Sequence, residues 1–309
     1  MQGQATGCGR LGLGTVQFGM DYGVTNAAGK VSPQDVSAIL DYARQRGIGL
    51  LDTAALYGES EAAIGASGHG AAFDIVTKTE KVSDAPDAAT AVARIERGFG
   101  RSLQLLRVSG VYGLLLHDPG DLLGPYGDAV WKSLEALRHG GVVRKIGVSV
   151  YEGREIDLIL DRFDVDLVQL PFNALDDRLA KGGQLDALAA RNVEVHARSV
   201  FLQGVLLQPP ERLPPRLSGL RPVVRSMQES FTDSGLTVME GLIASALHHN
   251  AIRRLIIGAT SLRELQEIAD AADRVEKLGG GFRPKHWAVA DERLLNPARW
   301  NALSDAGES

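Results

Sequence analysis

The chain has 309 residues and a formal net charge of −5 with acidic and basic residues interspersed, which argues against a nucleic acid or an anionic membrane as its main partner. Its one cysteine, Cys8, excludes an internal disulfide, and neither a thiolate cage nor an H-E-x-x-H motif points to a metal. No apolar run approaches the ~18–20 residues of a membrane span, and the opening MQGQATGCGR lacks the apolar core of a secretory signal, so a soluble cytoplasmic protein is expected.

Short apolar runs alternate with longer amphipathic ones. In chain order, strand Leu11–Thr15 precedes helix Ser32–Arg46, Ile48–Thr53 precedes Glu59–Ala66, Phe73–Lys78 precedes Asp87–Leu106, and Val111–His117 precedes Asp128–His139. The second half continues with Lys145–Val150 and Gly153–Arg162, Asp166–Leu170 and Gly183–Arg191, Val193–Arg198 and Thr237–His249, and Leu255–Gly258 and Ser261–Ala272. Several helices open on a capping Ser, Thr or Asp. Strict alternation predicts a parallel sheet, because each parallel connection needs a crossover. Eight such units predict one α/β domain over 1–309, a closed (β/α)8 TIM barrel with its site at the C-terminal strand ends; a doubly wound open sheet is the alternative.

Three stretches fall outside the rhythm. Gly7-Cys8-Gly9-Arg10-Leu11-Gly12 matches G-x-G-x-x-G, but a dinucleotide fingerprint needs a strand before it, and only six residues precede it. Residues 202–236 read as a long loop stiffened by Pro209, Pro210, Pro214, Pro215 and Pro222, with a short helix end at Gln228–Ser234. The tail 279–309 starts at a glycine hinge, carries Trp287, Trp300 and several cations, and is expected to end in disorder.

The strand ends carry the chemistry. Strand two ends on Asp52 with Tyr57 in the next loop, strand three on Lys78, strand four on His117, strand five on Ser149; strand six holds Gln169 and strand seven ends on Arg198-Ser199. A tyrosine of pKa ~10 is a poor proton donor at neutral pH. A lysine ammonium beside it stabilises the phenolate, a carboxylate keeps that lysine charged, and a histidine orients a carbonyl oxygen. Taken singly, Tyr57 also reads as a packed loop residue, His117 as a satisfied strand-end histidine, and Asp52 with Lys78 as a structural ion pair. One polar group per adjacent strand end favours the joint, functional reading.

The runs GLGTVQFG, LLDTAALYGESEAAIG, DIVTKTE, LLLHDP, KIGVSVY, DLVQLPFN and IIGATSLRELQE resemble the aldo-keto reductase family in order and spacing over almost the whole chain. The resemblance implies a nicotinamide-dependent oxidoreductase acting on a carbonyl or sugar-type substrate, with Tyr57 as proton donor and Asp52, Lys78 and His117 beside it. It places Gly14, Thr15 and Val16 near the nicotinamide ribose, and Ser149 and Gln169 at the carboxamide. It also assigns Ser199, Gly204, Gly258, Thr260, Ser261 and Glu264 to the cofactor site. Two positions depart from the family pattern: Val150 replaces an asparagine, and Arg198 replaces the aromatic ring under the nicotinamide. Alternation puts Glu194, His196 and Arg198 on one face, and an inward Arg198 would stack on the ring, repel its oxidised form, or bind an anionic substrate. Glu264 stands where the family tends to hold a 2′-phosphate, which favours NAD(H) over NADP(H), although Arg263 is adjacent. The backbone at Thr260-Ser261 is expected to offer N–H groups to a phosphate. The departures also admit a regulatory reading, a KidO-like NAD(H)-binding protein with a protein partner and little turnover.

Overall fold

The structure is a computed structural model and describes residues 7–279, 282–287, 289 and 291–303. Eight parallel strands close into a barrel: β1 (Leu11–Gly14), β2 (Leu50–Asp52), β3 (Asp74–Lys78), β4 (Val111–Leu116), β5 (Val143–Ser149), β6 (Leu167–Pro171), β7 (Glu194–Arg198) and β8 (Ile252–Gly258). Strand β8 returns to β1 in the register Gly14↔Gly258, which excludes the open-sheet alternative. The outward apolar residues of the strands, among them Leu51, Ile75, Ile146 and Leu255, pack with Ile39, Ile95, Leu134 and Ile268 of the surrounding helices in one core. The amphipathic runs become helices Pro33–Gln45, Ser60–Ser67, Ala88–Leu106, Gly127–His139, Gly153–Leu160, Gln184–Ala190, Val238–Leu247 and Leu262–Leu278. Ser32, Asp87, Thr237 and Ser261 cap four of them by accepting a backbone N–H.

The barrel interior is built in layers. Leu50, Val76, Leu115, Leu167 and Ile256 form a separate apolar cluster. Each lies two residues before a strand-end position: Asp52, Lys78, His117, Gln169 and Gly258. Side chains two apart on a strand share a face, so those strand-end residues form the next layer of the same interior. At the opposite end the filling is polar. The Glu194 carboxylate accepts from Tyr112 (2.7 Å) and Lys145 (2.5 Å) and pairs with His196 (2.8 Å), which is fully buried. Glu194, His196 and Arg198 do share the inward face, with Arg198 uppermost.

Residues 202–236 are more structured than a proline-stiffened loop. Short helical turns at Val205–Leu207, Pro210–Arg212 and Pro215–Leu220 lead into a full helix, Arg221–Asp233. Pro222 sits in its first turn, where the missing N–H costs nothing, so the proline that suggested a loop starts a helix instead. Its buried face, Val224, Met227 and Phe231, packs with Trp287, Leu294, Leu295 and Trp300 of the C-terminal segment in a second core. Much of the tail is therefore docked; its expected disordered end, 304–309, lies outside the described residues. Cys8 is buried in the turn Gly7–Arg10 below β1, and burial, with Asp273 beside it, raises its thiol to about 12.

Trp300 is 2% exposed, and its indole N–H donates to the Leu294 carbonyl (3.0 Å). Trp300→Ala is expected to lose about 3–5 kcal/mol by leaving a cavity in the second core. Denaturant unfolding followed by circular dichroism measures it.

Candidate active site

Lys78 is the centre of the site. Its ammonium, 1% exposed, donates to Asp52 Oδ2 (2.8 Å), the Thr53 carbonyl (2.9 Å) and Tyr57 Oη (3.4 Å). Burial opposes the charge, but Asp52 and then Tyr57 outweigh it and hold Lys78 above the usual lysine value. The other Asp52 oxygen accepts from Gln169 Nε2 (2.6 Å), so both carboxylate oxygens are used. The His117 ring meets Tyr57 edge-on, with centroids 5.8 Å apart. Burial, and then the Lys78 charge, lowers His117 from 6.5 to about 4, which makes it a neutral N–H donor at pH 7.

Tyr57 is held by backbone contacts. Its N–H donates to the Ala54 carbonyl (3.0 Å), and its own carbonyl accepts from Ser60 (3.1 Å). Gly58 adopts a positive φ of 58°, and the loop after β1 passes so close that a Cβ on Gly19 would fall 1.8 Å from the Tyr57 carbonyl. A glycine at both positions is what lets the two loops touch. Below them Thr15 donates to the Asp52 carbonyl (2.9 Å), and Ser60 donates to the Thr15 carbonyl (2.8 Å), joining the β1 and β2 ends.

The site opens into a cavity of about 670 Å³. Of the residues singled out in the sequence, Gly14, Thr15, Val16, Asp52, Tyr57, His117, Ser149, Gln169, Arg198, Ser199, Gly204, Gly258, Thr260 and Glu264 line it. Lys78 lies beneath its floor, and Ser261 is absent from its wall. Ser261 instead accepts the Glu264 N–H (3.2 Å) as a helix cap. The Thr260 N–H, expected to be offered to a phosphate, is already bound to Glu264 Oε2 (2.7 Å), because that carboxylate folds back over its own helix start. Arg263 pairs with Glu267 (3.0 Å) and is also absent from the wall, whereas Glu264 and Glu267 are both part of it.

Several wall residues were not legible in the sequence. Tyr22, Thr25, Asn26, Tyr151 and Gln203 come from loops and Met239 from the first turn of helix Val238–Leu247, none of them marked by a strand-end signal. Gln203 ties two of these loops together: its carbonyl accepts from Thr25 Oγ1 (3.1 Å) and its amide donates to Tyr22 Oη (3.1 Å). The only usable hint was the Asn26–Gly29 turn, where the Asn26 side chain caps Ala28 and Gly29.

The aldo/keto reductase family model matches residues 10–277. The chain belongs to the aldo/keto reductase family. It is thereby an oxidoreductase of that type, and the family generally uses nicotinamide cofactors. Among solved structures it is similar to the holo form of aldo-keto reductase AKR11C1 from Bacillus halodurans, with 20% identity, a TM-score of 0.69 and coverage of 90% of this chain and 93% of that one. PA4992 from Pseudomonas aeruginosa is similar at 21% identity and a TM-score of 0.65, covering 86% and 90%. At these identities the likeness shows the shared fold. No curated protein sequence matches the chain. Gln169 supplies a test of fit to the family's cofactor: its Oε1 is buried without a partner among the described residues while the residue lines the cavity. An unpaired buried acceptor suits an amide N–H, which a nicotinamide carboxamide carries.

The lowered His117 pKa predicts a pH effect on stability. An unfolded histidine takes up a proton near 6.5, whereas the folded one resists until about 4. The folded state therefore loses stability as pH falls through that window. His117→Asn is expected to flatten this part of the profile, measured as Tm against pH.

Proposed function

We propose that the protein interconverts a carbonyl compound and its alcohol using NAD(H), with Tyr57 as the proton donor. The observation that carries this is the buried Lys78 ammonium shared between Asp52 and the Tyr57 hydroxyl at the floor of the large cavity. Bound nicotinamide would supply or accept the hydride at the substrate carbon. Tyr57 gives its proton to the carbonyl oxygen, and Lys78 stabilises the phenolate that remains. Neutral His117 donates a hydrogen bond to the same oxygen, where negative charge develops. Asp52, fixed by Gln169 and Lys78, keeps the ammonium charged and in place. Ser149 and Gln169, on the cavity wall, would hold the carboxamide, and Gly14, Thr15 and Val16 on the same wall would approach the ribose.

The charge around the last helix favours NAD(H) over NADP(H). A 2′-phosphate placed there would face the wall carboxylates Glu264 and Glu267, while Arg263 is turned to Glu267 at the surface. Val150 supports a second reading, a regulatory protein whose bound cofactor controls affinity for a protein partner. Its side chain is buried and adds nothing to the cavity wall, which leaves fewer groups to fix the carboxamide. Tight NADH binding with no turnover on a broad carbonyl panel would favour that reading.

Tyr57→Phe is expected to bind NADH as the natural protein does and to lose about 10²–10⁴-fold in turnover. Steady-state kinetics check this, and unchanged turnover overturns the proton-donor assignment. In paired fluorescence titrations NADH should bind more tightly than NADPH. Glu264→Gln keeps the acceptor for Thr260 but removes the charge, so the preference for NADH should shrink by about tenfold or more. A preference for NADPH in the natural protein would overturn the cofactor assignment.

A further inference from the structure

Among the described residues Arg198 is the one lysine or arginine on the cavity wall. Its guanidinium stacks 4.1 Å above the Tyr151 ring and donates one hydrogen bond, to the Val150 carbonyl (2.9 Å). Among the described residues no carboxylate pairs with it, and its remaining N–H groups find no second acceptor there. The carboxylates nearby are occupied: Asp52 by Lys78 and Gln169, and Asp176, behind Arg198 across a small cleft, by Arg178 (2.7 Å). Arg198 shares its cavity with Asp52, Tyr57 and His117, which line the same wall. A half-buried guanidinium with no counter-ion among the described residues is electrostatically costly in isolation. Its flat fork of donors matches a carboxylate, and stacking on Tyr151 fixes the plane in which that fork is presented.

We propose that Arg198 receives a carboxylate on the substrate, so that this reductase acts on a carbonyl compound that also bears an acid group, such as an oxo acid or an acidic sugar. Among the described residues the wall holds no second lysine or arginine, and one cation suits a single negative charge better than a phosphate. In this arrangement Tyr57 and His117 take the carbonyl oxygen, and Arg198 on β7 takes the far end, which sets the orientation of the molecule between them. The proposal deepens the carbonyl-reductase reading and rests on it for the reaction, but the anion site itself is testable without turnover.

The kinetic test compares 4-carboxybenzaldehyde with its neutral methyl ester, methyl 4-formylbenzoate, using NADH. The natural protein should favour the acid by about tenfold or more in kcat/KM, as expected for a hydrogen bond to a charged group. Arg198→Met should bring the acid-to-ester ratio to about one through KM, and Arg198→Lys should keep part of it. A ratio near one in the natural protein, or a ratio unmoved by Arg198→Met, overturns the proposal. The binding test titrates 4-(hydroxymethyl)benzoate by calorimetry into protein saturated with NADH. Binding that is lost in Arg198→Met supports the anion site even if neither aldehyde is turned over, in which case the reductase reading fails alone. No binding, or binding equal in the variant, overturns it. Phenylphosphonate bound about tenfold more tightly than the carboxylate would overturn the choice of a carboxylate.

Discussion

Lys78 keeps a positive charge at 1% side-chain exposure because Asp52 stands 2.8 Å away, and the rest of the site is arranged around that pair. A charge so buried is tolerated only when its partner is close and the remaining donors and acceptors are filled. Here the filling is complete. The ammonium donates to the Thr53 carbonyl and Tyr57 hydroxyl, and the second Asp52 oxygen takes the Gln169 amide. Removing either charge would leave the other uncompensated, at a typical cost of about 3–5 kcal/mol. Stability and chemistry therefore draw on the same ion pair, and the hydroxyl it holds is the one positioned to move a proton.

The barrel makes this possible by stacking layers. An apolar ring of Leu50, Val76, Leu115, Leu167 and Ile256 lies under the polar ring and separates it from the Glu194–Lys145–Tyr112 cluster at the other end. Water is thus kept from the underside of the Lys78–Asp52 pair, while its upper side opens only through Tyr57 and the cavity. A low-dielectric floor strengthens each electrostatic contact above it. The same layering explains Arg198: strand alternation from Glu194 and His196 carries it inward, where the cavity gives its charge a use.

Segments outside the barrel shape the mouth. Helix Arg221–Asp233 and the docked C-terminal segment share one apolar core, and Leu295, Asn296 and Pro297 of that segment border a cleft with Tyr151 and Arg198. Arg178 to Glu292 (2.7 Å) and Arg299 to Glu152 (2.7 Å) pin the segment to the loops after β6 and β5. These exposed pairs contribute little energy individually, and the apolar contacts of Trp287, Trp300 and Phe231 hold the segment in place.

The sequence by itself determined the barrel and the identity of its polar layer. Short apolar runs, most of them carrying a polar residue at or near the end, state which strands exist and which side chains stand there. That information is local, so Asp52, Lys78, His117, Ser149 and Gln169 were legible one strand at a time. Only the tertiary structure decided where the loops meet. Tyr22 reaches Gln203 across 181 residues of sequence, Tyr151 lies under Arg198, and the C-terminal segment docks on a helix that a run of prolines had concealed. It also decided that Glu264 folds back onto Thr260 and that Arg263 turns away to Glu267. Loop and side-chain placements of this kind depend on contacts between distant segments, and no periodic pattern in a single chain encodes them.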